Sequence, residues 1–302
     1  MRVFLTGGTG FVGAFLSQEL ILKGHDLTIL TRREQPPASL QNGARFVTGD
    51  PKQEGPWMAE VPQHDWIINL AGASIFTKWT NEAKKMLHDS RILTTRNLVT
   101  ALAAGDRRQL FCSTSAPGYY GPRGEEELTE ASAPGQDFLA RLAQEWEAEA
   151  MKAQGLGIRT VITRFGIVLG RGGGMLEQLT PLFKRFVGGP VGSGEQWLSW
   201  IHQMDLARAF LFLPEHPDLT GPVNFTSPNP VRNKDFAKAL GRALARPAFL
   251  PAPAFVVRLI LGELADAVLS GQKVLPQKLT TAGFEFLYPT IDQALQNLVG
   301  EN

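Results

Sequence analysis

Short apolar runs rich in β-branched residues alternate with amphipathic helical stretches through the first half of the chain. Residues 2–6, 26–31, 44–48, 65–70, 108–114 and 158–164 read as strands. Between them lie helical patterns. Phe15, Leu16, Leu20 and Leu22 follow the first strand, a long helix is expected over Asn81 to Ala104, and another over Gln136 to Gln154. In the last of these Phe138, Leu142 and Trp146 fall four apart and predict a buried stripe, whereas Glu145, Glu147 and Glu149 read as a solvated or salt-bridged face. Strand and helix in alternation predict an α/β fold built on a doubly wound parallel sheet.

After residue 165 this rhythm breaks. A Gly-rich turn (Gly170 to Gly174), a Gly/Pro segment (Gly188 to Gly194), the run WLSWIHQMD and helical stretches separated by Pro228–Pro230 and Pro247–Pro253 follow. The expected organisation is a nucleotide-binding domain over residues 1–165, with parts of 200–226 packing back on it, and a smaller C-terminal α+β substrate lobe over 166–302. In open α/β sheets ligands bind at the carboxyl ends of the strands, where such a lobe would close a pocket.

Composition narrows the function classes. With 43% hydrophobic and 20% charged residues and a net charge of +1, the 302-residue chain has no electrostatic pull toward nucleic acid or anionic membrane. No run is long enough to span a bilayer, and the first strand starts so early that no leader is expected, so the chain reads as cytoplasmic. Cys112 is the only cysteine, which excludes an intrachain disulfide and a cysteine-rich metal site; it reads as a buried strand residue, and no metal is expected.

The strongest chemical signal is the opening MRVFLTGGTGFVG. Gly7, Gly10 and Gly13 follow a strand and precede a helix at the spacing of a Rossmann-type dinucleotide-binding turn: Gly7 for the turn, Gly10 for close approach to the pyrophosphate, Gly13 for helix packing. Thr9, Phe11 and Val12 complete the turn, whose helix start favours an anion. A carboxylate at the end of the second strand would accept hydrogen bonds from ribose hydroxyls, but Thr31, Arg32 and Arg33 stand there, followed by Glu34. Two guanidinium groups suit a 2′-phosphate, so NADP(H) is expected over NAD. The small residues after the fourth strand, Leu70, Ala71 and Gly72, are expected to line the same groove. Lys78, Trp79, Lys84 and Arg91 follow; Trp79 is expected to face the substrate, while Arg91 reads either as a cleft residue or as surface charge.

TGGTGFVG, NLAGA, STSAPGYYG and WIHQMD together resemble the extended short-chain dehydrogenase/reductase superfamily. NLAGASI with Trp79, SAPGYYG, WEAEA and GELADAVLSGQKVLPQKLTTAGFEFLYP are similar to an epimerase-like subgroup that carries its own C-terminal domain of unknown function, here residues 247–298. The resemblance implies an NADP(H)-dependent oxidoreductase or epimerase acting on a small carbonyl or hydroxyl compound, and a homodimer through the two long helices, unless their charged face is solvated.

The resemblance also exposes a gap. It places Ser115 at the position of the catalytic hydroxyl, but Arg141 where the proton-transferring Tyr belongs and Glu145 where its Lys partner belongs. Arginine stays protonated and cannot shuttle a proton. Tyr119, followed by Tyr120, is left as the substitute acid and a substrate contact. Arg164 reads as a ligand-binding cation or a loop anchor; His202, with Asp205, as a substrate contact or a structural hydrogen-bonding pair. The rival function is a non-catalytic NADP(H)-binding sensor that kept the groove and lost proton transfer.

Overall fold

Seven strands form one parallel sheet: β1 (Arg2–Thr6), β2 (Asp26–Thr31), β3 (Ala44–Thr48), β4 (Trp66–Asn69), β5 (Leu110–Ser115), β6 (Arg159–Phe165) and β7 (Gly221–Phe225). The structure is a computed structural model, and it describes residues 1–33, 40, 43–105 and 108–300. Most of these strands read as apolar runs because helices cover both faces of the sheet. Their spatial order is β3-β2-β1-β4-β5-β6-β7. Strand order therefore reverses between β1 and β4, where Thr6 stands level with Leu30 on one side and Asn69 on the other. That reversal opens the ligand crevice of a doubly wound sheet.

The six expected strands are all present, three with the expected bounds and three shifted at their ends by one or two residues. The seventh comes from the 200–226 stretch; its opening Gly221-Pro222 is poor strand sequence, and pairing with β6 supplies what local preference lacks. Helix α1 (Phe11–Leu22) follows β1. Helix α2 (Asn81–Leu102) starts where the Thr80 hydroxyl accepts the Ala83 N–H at 3.2 Å, and α3 (Phe138–Gly155) where Asp137 accepts that of Ala140 at 2.9 Å. Leu142 and Trp146 are buried as their spacing predicts. Cys112 lies in the core with its thiol pushed up to about 12 by burial, so it is chemically quiet.

Beyond β6 the chain adds α4 (Gly174–Lys184), α5 (Gln203–Phe212), α6 (Asn233–Ala243), α7 (Ala254–Leu261), α8 (Leu264–Leu269), α9 (Gln277–Thr281) and α10 (Ile291–Val299). Phe183, Trp200, Phe236, Leu240 and Leu295 centre a second apolar core there. The final segment is also woven into the first core. Lys273–Val274 pairs in parallel with Glu127–Leu128, and Leu279 and Phe284 bury in the cluster that holds Val3, Leu5 and Val161. Across the crevice, Lys84 at the start of α2 pairs with Glu263, between α7 and α8, at 2.5 Å. Among the described residues no helix is long and apolar enough to cross a membrane.

Candidate functional site

The crevice begins at the β1–α1 turn. Gly7 has φ +72°, and a Cβ on it would fall 2.7 Å from the Leu70 carbonyl carbon, so the turn and the loop after β4 close on each other only through glycine. A Cβ on Gly13 would fall 2.1 Å from the Gly7 oxygen, which fixes how closely α1 approaches the turn. Gly10 is different. It is exposed, and a Cβ there would meet nothing nearer than the Gly7 oxygen at 3.4 Å, so its backbone faces open space at the helix start. No side chain caps this helix and no acidic residue occupies its first turn, leaving its positive end available to an anion.

The neighbours of the turn differ in how they pack. Thr9 and Val12 are half-buried on it, and the Phe11 ring packs under the Gly170–Gly174 turn, where a Cβ on Gly173 would fall 2.4 Å from the ring. The two Gly-rich segments thus meet on one aromatic side chain. Arg32 and Arg33 are exposed just past β2, with the Arg33 N–H held by the Thr31 hydroxyl at 3.1 Å. Glu34 lies outside the described residues. On the other wall, the Asn69 side chain accepts hydrogen bonds from the Thr6 hydroxyl at 2.7 Å and the Ala71 N–H at 3.3 Å, presenting Leu70, Ala71 and Gly72 along the crevice. Trp79 is half-buried, its Nε1 donating to the Ile75 carbonyl at 3.0 Å and its ring edge-on to Phe138 at 5.2 Å; Lys78 is exposed.

The ends of β5 and β6 hold a buried polar network. Arg164 is 1% exposed. Its Nε and Nη2 donate to the two Glu147 oxygens at 2.8 and 2.7 Å, and its Nη1 donates to the Tyr120 hydroxyl at 2.8 Å. Tyr120 in turn donates to Asn224 Oδ1 at 2.7 Å. Burial alone would make the guanidinium easier to deprotonate, but the Glu147 carboxylate outweighs that and raises its pKa. Burial likewise pushes the Tyr120 phenol up to about 12, so it stays protonated. A carboxylate that receives two guanidinium bonds only accepts, so the 2.6 Å contact between Ser115 Oγ and Glu147 Oε1 is donated by Ser115. The one proton of that hydroxyl is already in use.

Tyr119 sits differently from Tyr120. It is half-buried, its ring covers the Arg164 guanidinium at 3.6 Å, and its hydroxyl has no hydrogen-bond partner among the described residues. Of the two adjacent tyrosines in the turn after β5, it is the one whose hydroxyl is unpaired among the described residues. Arg141 and Glu145 are both exposed, the first bonded to the Gln136 carbonyl and the second to His88 at 3.0 Å. Arg164, with each of its three nitrogens bonded inside the protein and its charge met by Glu147, fits the anchoring reading better than ligand contact.

His202 also turns inward. It caps α5, Nδ1 accepting the Met204 N–H at 3.0 Å while Nε2 faces Asn297 Oδ1 at 3.2 Å, and its ring lies 4.0 Å from that of Tyr288. Burial lowers its pKa to about 4. Asp205 accepts the N–H groups of Leu287 and Tyr288 at 2.7 and 2.9 Å. The pair therefore ties the last segment of the chain to α5, as the structural reading of WIHQMD has it.

Sequence reasoning missed Glu147. Its signal was nonetheless present: Ala140, Ala143, Glu147 and Ala150 recur at helical spacing, and all four are buried. Glu147 is salt-bridged as its neighbours were expected to be, but in the core, to Arg164; Glu149 bridges Arg96 and Lys152, and Glu145 is exposed beside His88.

The sequence and the fold have counterparts among known proteins. The sequence model of the NAD dependent epimerase/dehydratase family matches residues 3–225, and that of a domain of unknown function, DUF1731, matches residues 252–298. The chain is 39% identical to an epimerase family protein SDR39U1 homolog, chloroplastic, of Arabidopsis thaliana, over 99% of this chain and 87% of that one. It is 38% identical to epimerase family protein YfhF of Bacillus subtilis, covering 100% and 99%. Its fold matches the crystal structure of human epimerase family protein SDR39U1 with NADPH at a TM-score of 0.88 and 33% identity, over 99% of both chains. On these matches the chain belongs to the NAD dependent epimerase/dehydratase family and carries the DUF1731 domain at its C-terminal end.

Proposed function

We propose that this chain binds NADP(H) along the β1–α1 turn and is an oxidoreductase or epimerase of the extended short-chain type, acting on a small carbonyl or hydroxyl compound held between the sheet and the C-terminal segments. The carrying observation is the cradle at Gly10, open where a Cβ would project, with Arg32 and Arg33 exposed beside it. Gly7, Gly10 and Gly13 would hold the pyrophosphate against the start of α1, and the two arginines the 2′-phosphate. The human relative solved with NADPH supports the same choice.

The bound nicotinamide would supply the redox chemistry. Beside Ser115, Tyr119 offers a hydroxyl unpaired among the described residues for moving a proton, and Ser115 is fixed by Glu147 as a hydrogen-bond acceptor. An acceptor suits a hydroxyl-bearing substrate better than it suits a carbonyl oxygen, which needs a donor.

A second reading, a non-catalytic NADP(H)-binding sensor, is favoured by the exposed Arg141 and Glu145 at the Tyr and Lys positions. Calorimetric titration with NADPH and NADH tests the cofactor. Arg32→Ala is expected to weaken NADPH by about tenfold and leave NADH nearly unchanged; equal losses would remove the 2′-phosphate contact. NADPH consumption against a panel of carbonyl compounds, or NADP+ reduction by alcohols, separates the two readings. Turnover that falls in Tyr119→Phe supports the enzyme, and tight NADPH binding with no turnover across both panels supports the sensor.

A further inference from the structure

Arg91 is half-buried on α2 and forms no ion pair among the described residues. Nη1 donates to the Leu87 carbonyl at 3.0 Å and reaches the Ser90 hydroxyl at 3.4 Å, and Nη2 donates to the Ala73 carbonyl at 3.1 Å. The guanidinium carbon lies 5.2 Å from the centre of the Trp146 ring. It also lies against Gly72, where a Cβ would sit 3.5 Å from it. Arginine has five N–H donors, and Nε is among those left without a partner among the described residues.

Charges removed from water are normally paired. Carbonyl dipoles and an aromatic face compensate Arg91 only in part, and burial with no opposing carboxylate lowers its pKa to about 10. The missing partner has an obvious place to enter. Gly72 is exposed on the wall of the crevice between β1 and β4, so the cation stands directly behind the surface along which ligands would lie.

We propose that Arg91 is the cation of an oxyanion subsite in this crevice, which binds a carboxylate or phosphate group of the substrate through the guanidinium. The assignment rests on the cofactor reading above, which gives the β1–α1 turn and the Leu70–Gly72 wall to the dinucleotide and leaves Arg91, which holds Ala73 where that wall ends, to the second ligand. Substrates would thus be anionic hydroxyl or carbonyl compounds, not neutral ones. Arg91 would also couple binding to the Ala71–Ala73 wall, because the same guanidinium holds the Ala73 carbonyl.

Succinate and inorganic phosphate, titrated separately by calorimetry into the NADPH complex of the full chain, test the subsite. At least one of the two is expected to bind the wild type saturably. Arg91→Gln should weaken it by about tenfold or more while Arg91→Lys retains most of the affinity, and NADPH affinity should stay within about twofold in both. Urea midpoints of the two variants confirm that the fold is intact. Equal probe binding by wild type and Arg91→Gln, or no saturable binding of either probe, overturns the proposal. A parallel loss of NADPH affinity also overturns it, because the cation then serves the cofactor. If NADPH itself does not bind the wild type, the cofactor reading fails, and the same titrations on the cofactor-free chain decide the subsite separately.

Discussion

Arg164 and Arg91 are both drawn out of solvent beside the crevice, one at the end of β6 and the other on α2 behind the loop after β4. Arg164 is closed off by its own protein: a bidentate carboxylate, a phenol and two tyrosine rings account for it. Arg91 has two carbonyls, a hydroxyl edge and an indole face, and no anion among the described residues. A buried ion that is fully paired builds the fold, whereas one left half-paired beside a cleft is available to a ligand. On the proposal made above, the two arginines separate scaffold from recognition.

Substitution should break this contrast in a graded way. The largest effect is expected from Arg164→Met, which strands the Glu147 carboxylate and should cost about 3–5 kcal/mol in urea unfolding. Adding Glu147→Gln should restore part of that loss, and no restoration would mean that the pair is not the source. Next comes pH. His202 is held neutral with its pKa lowered from 6.5 to about 4, so between those values the unfolded chain binds a proton that the native chain does not. Stability should therefore rise with pH across that window, by about 3 kcal/mol in all, relative to a His202→Asn variant that keeps a capping side chain. Parallel pH profiles for the two proteins would rule this out. Ser115→Ala removes a bond to a charged group and should cost about 1–2 kcal/mol. The smallest change is expected for Arg91→Met without ligands, within about 1 kcal/mol of wild type, because no carboxylate is stranded. A loss as large as that of Arg164→Met would erase the distinction between the two.

Most of the sheet was legible because strands covered on both faces leave apolar runs that need no partner to be recognised. β7 was not read as a strand, because GPVNF takes its conformation from β6. The glycine turn was legible for a related reason: glycines at fixed spacing report local backbone demands. Glu147 and Arg91 were harder. A charged residue on a helix looks solvated until its surroundings are known, and those of Glu147 are Arg164 and Ser115, on two separate strands. Ser115 was found, but its proton assignment depends on Glu147 and so was invisible with it. Arg91 was noticed without being resolved, since the lack of a counter-ion is a property of space, not of spacing.

The interleaving of the last segment sets a condition on how the molecule is made. Leu279 and Phe284 fill the core around Val3 and Leu5, Lys278 donates its N–H to Glu130, and Asn224 donates to the Leu275 carbonyl. During synthesis, the sheet therefore emerges with part of its core unfilled. Residues 275–288 belong to the same core as the first strands, so that core is completed only once this distant segment has been made.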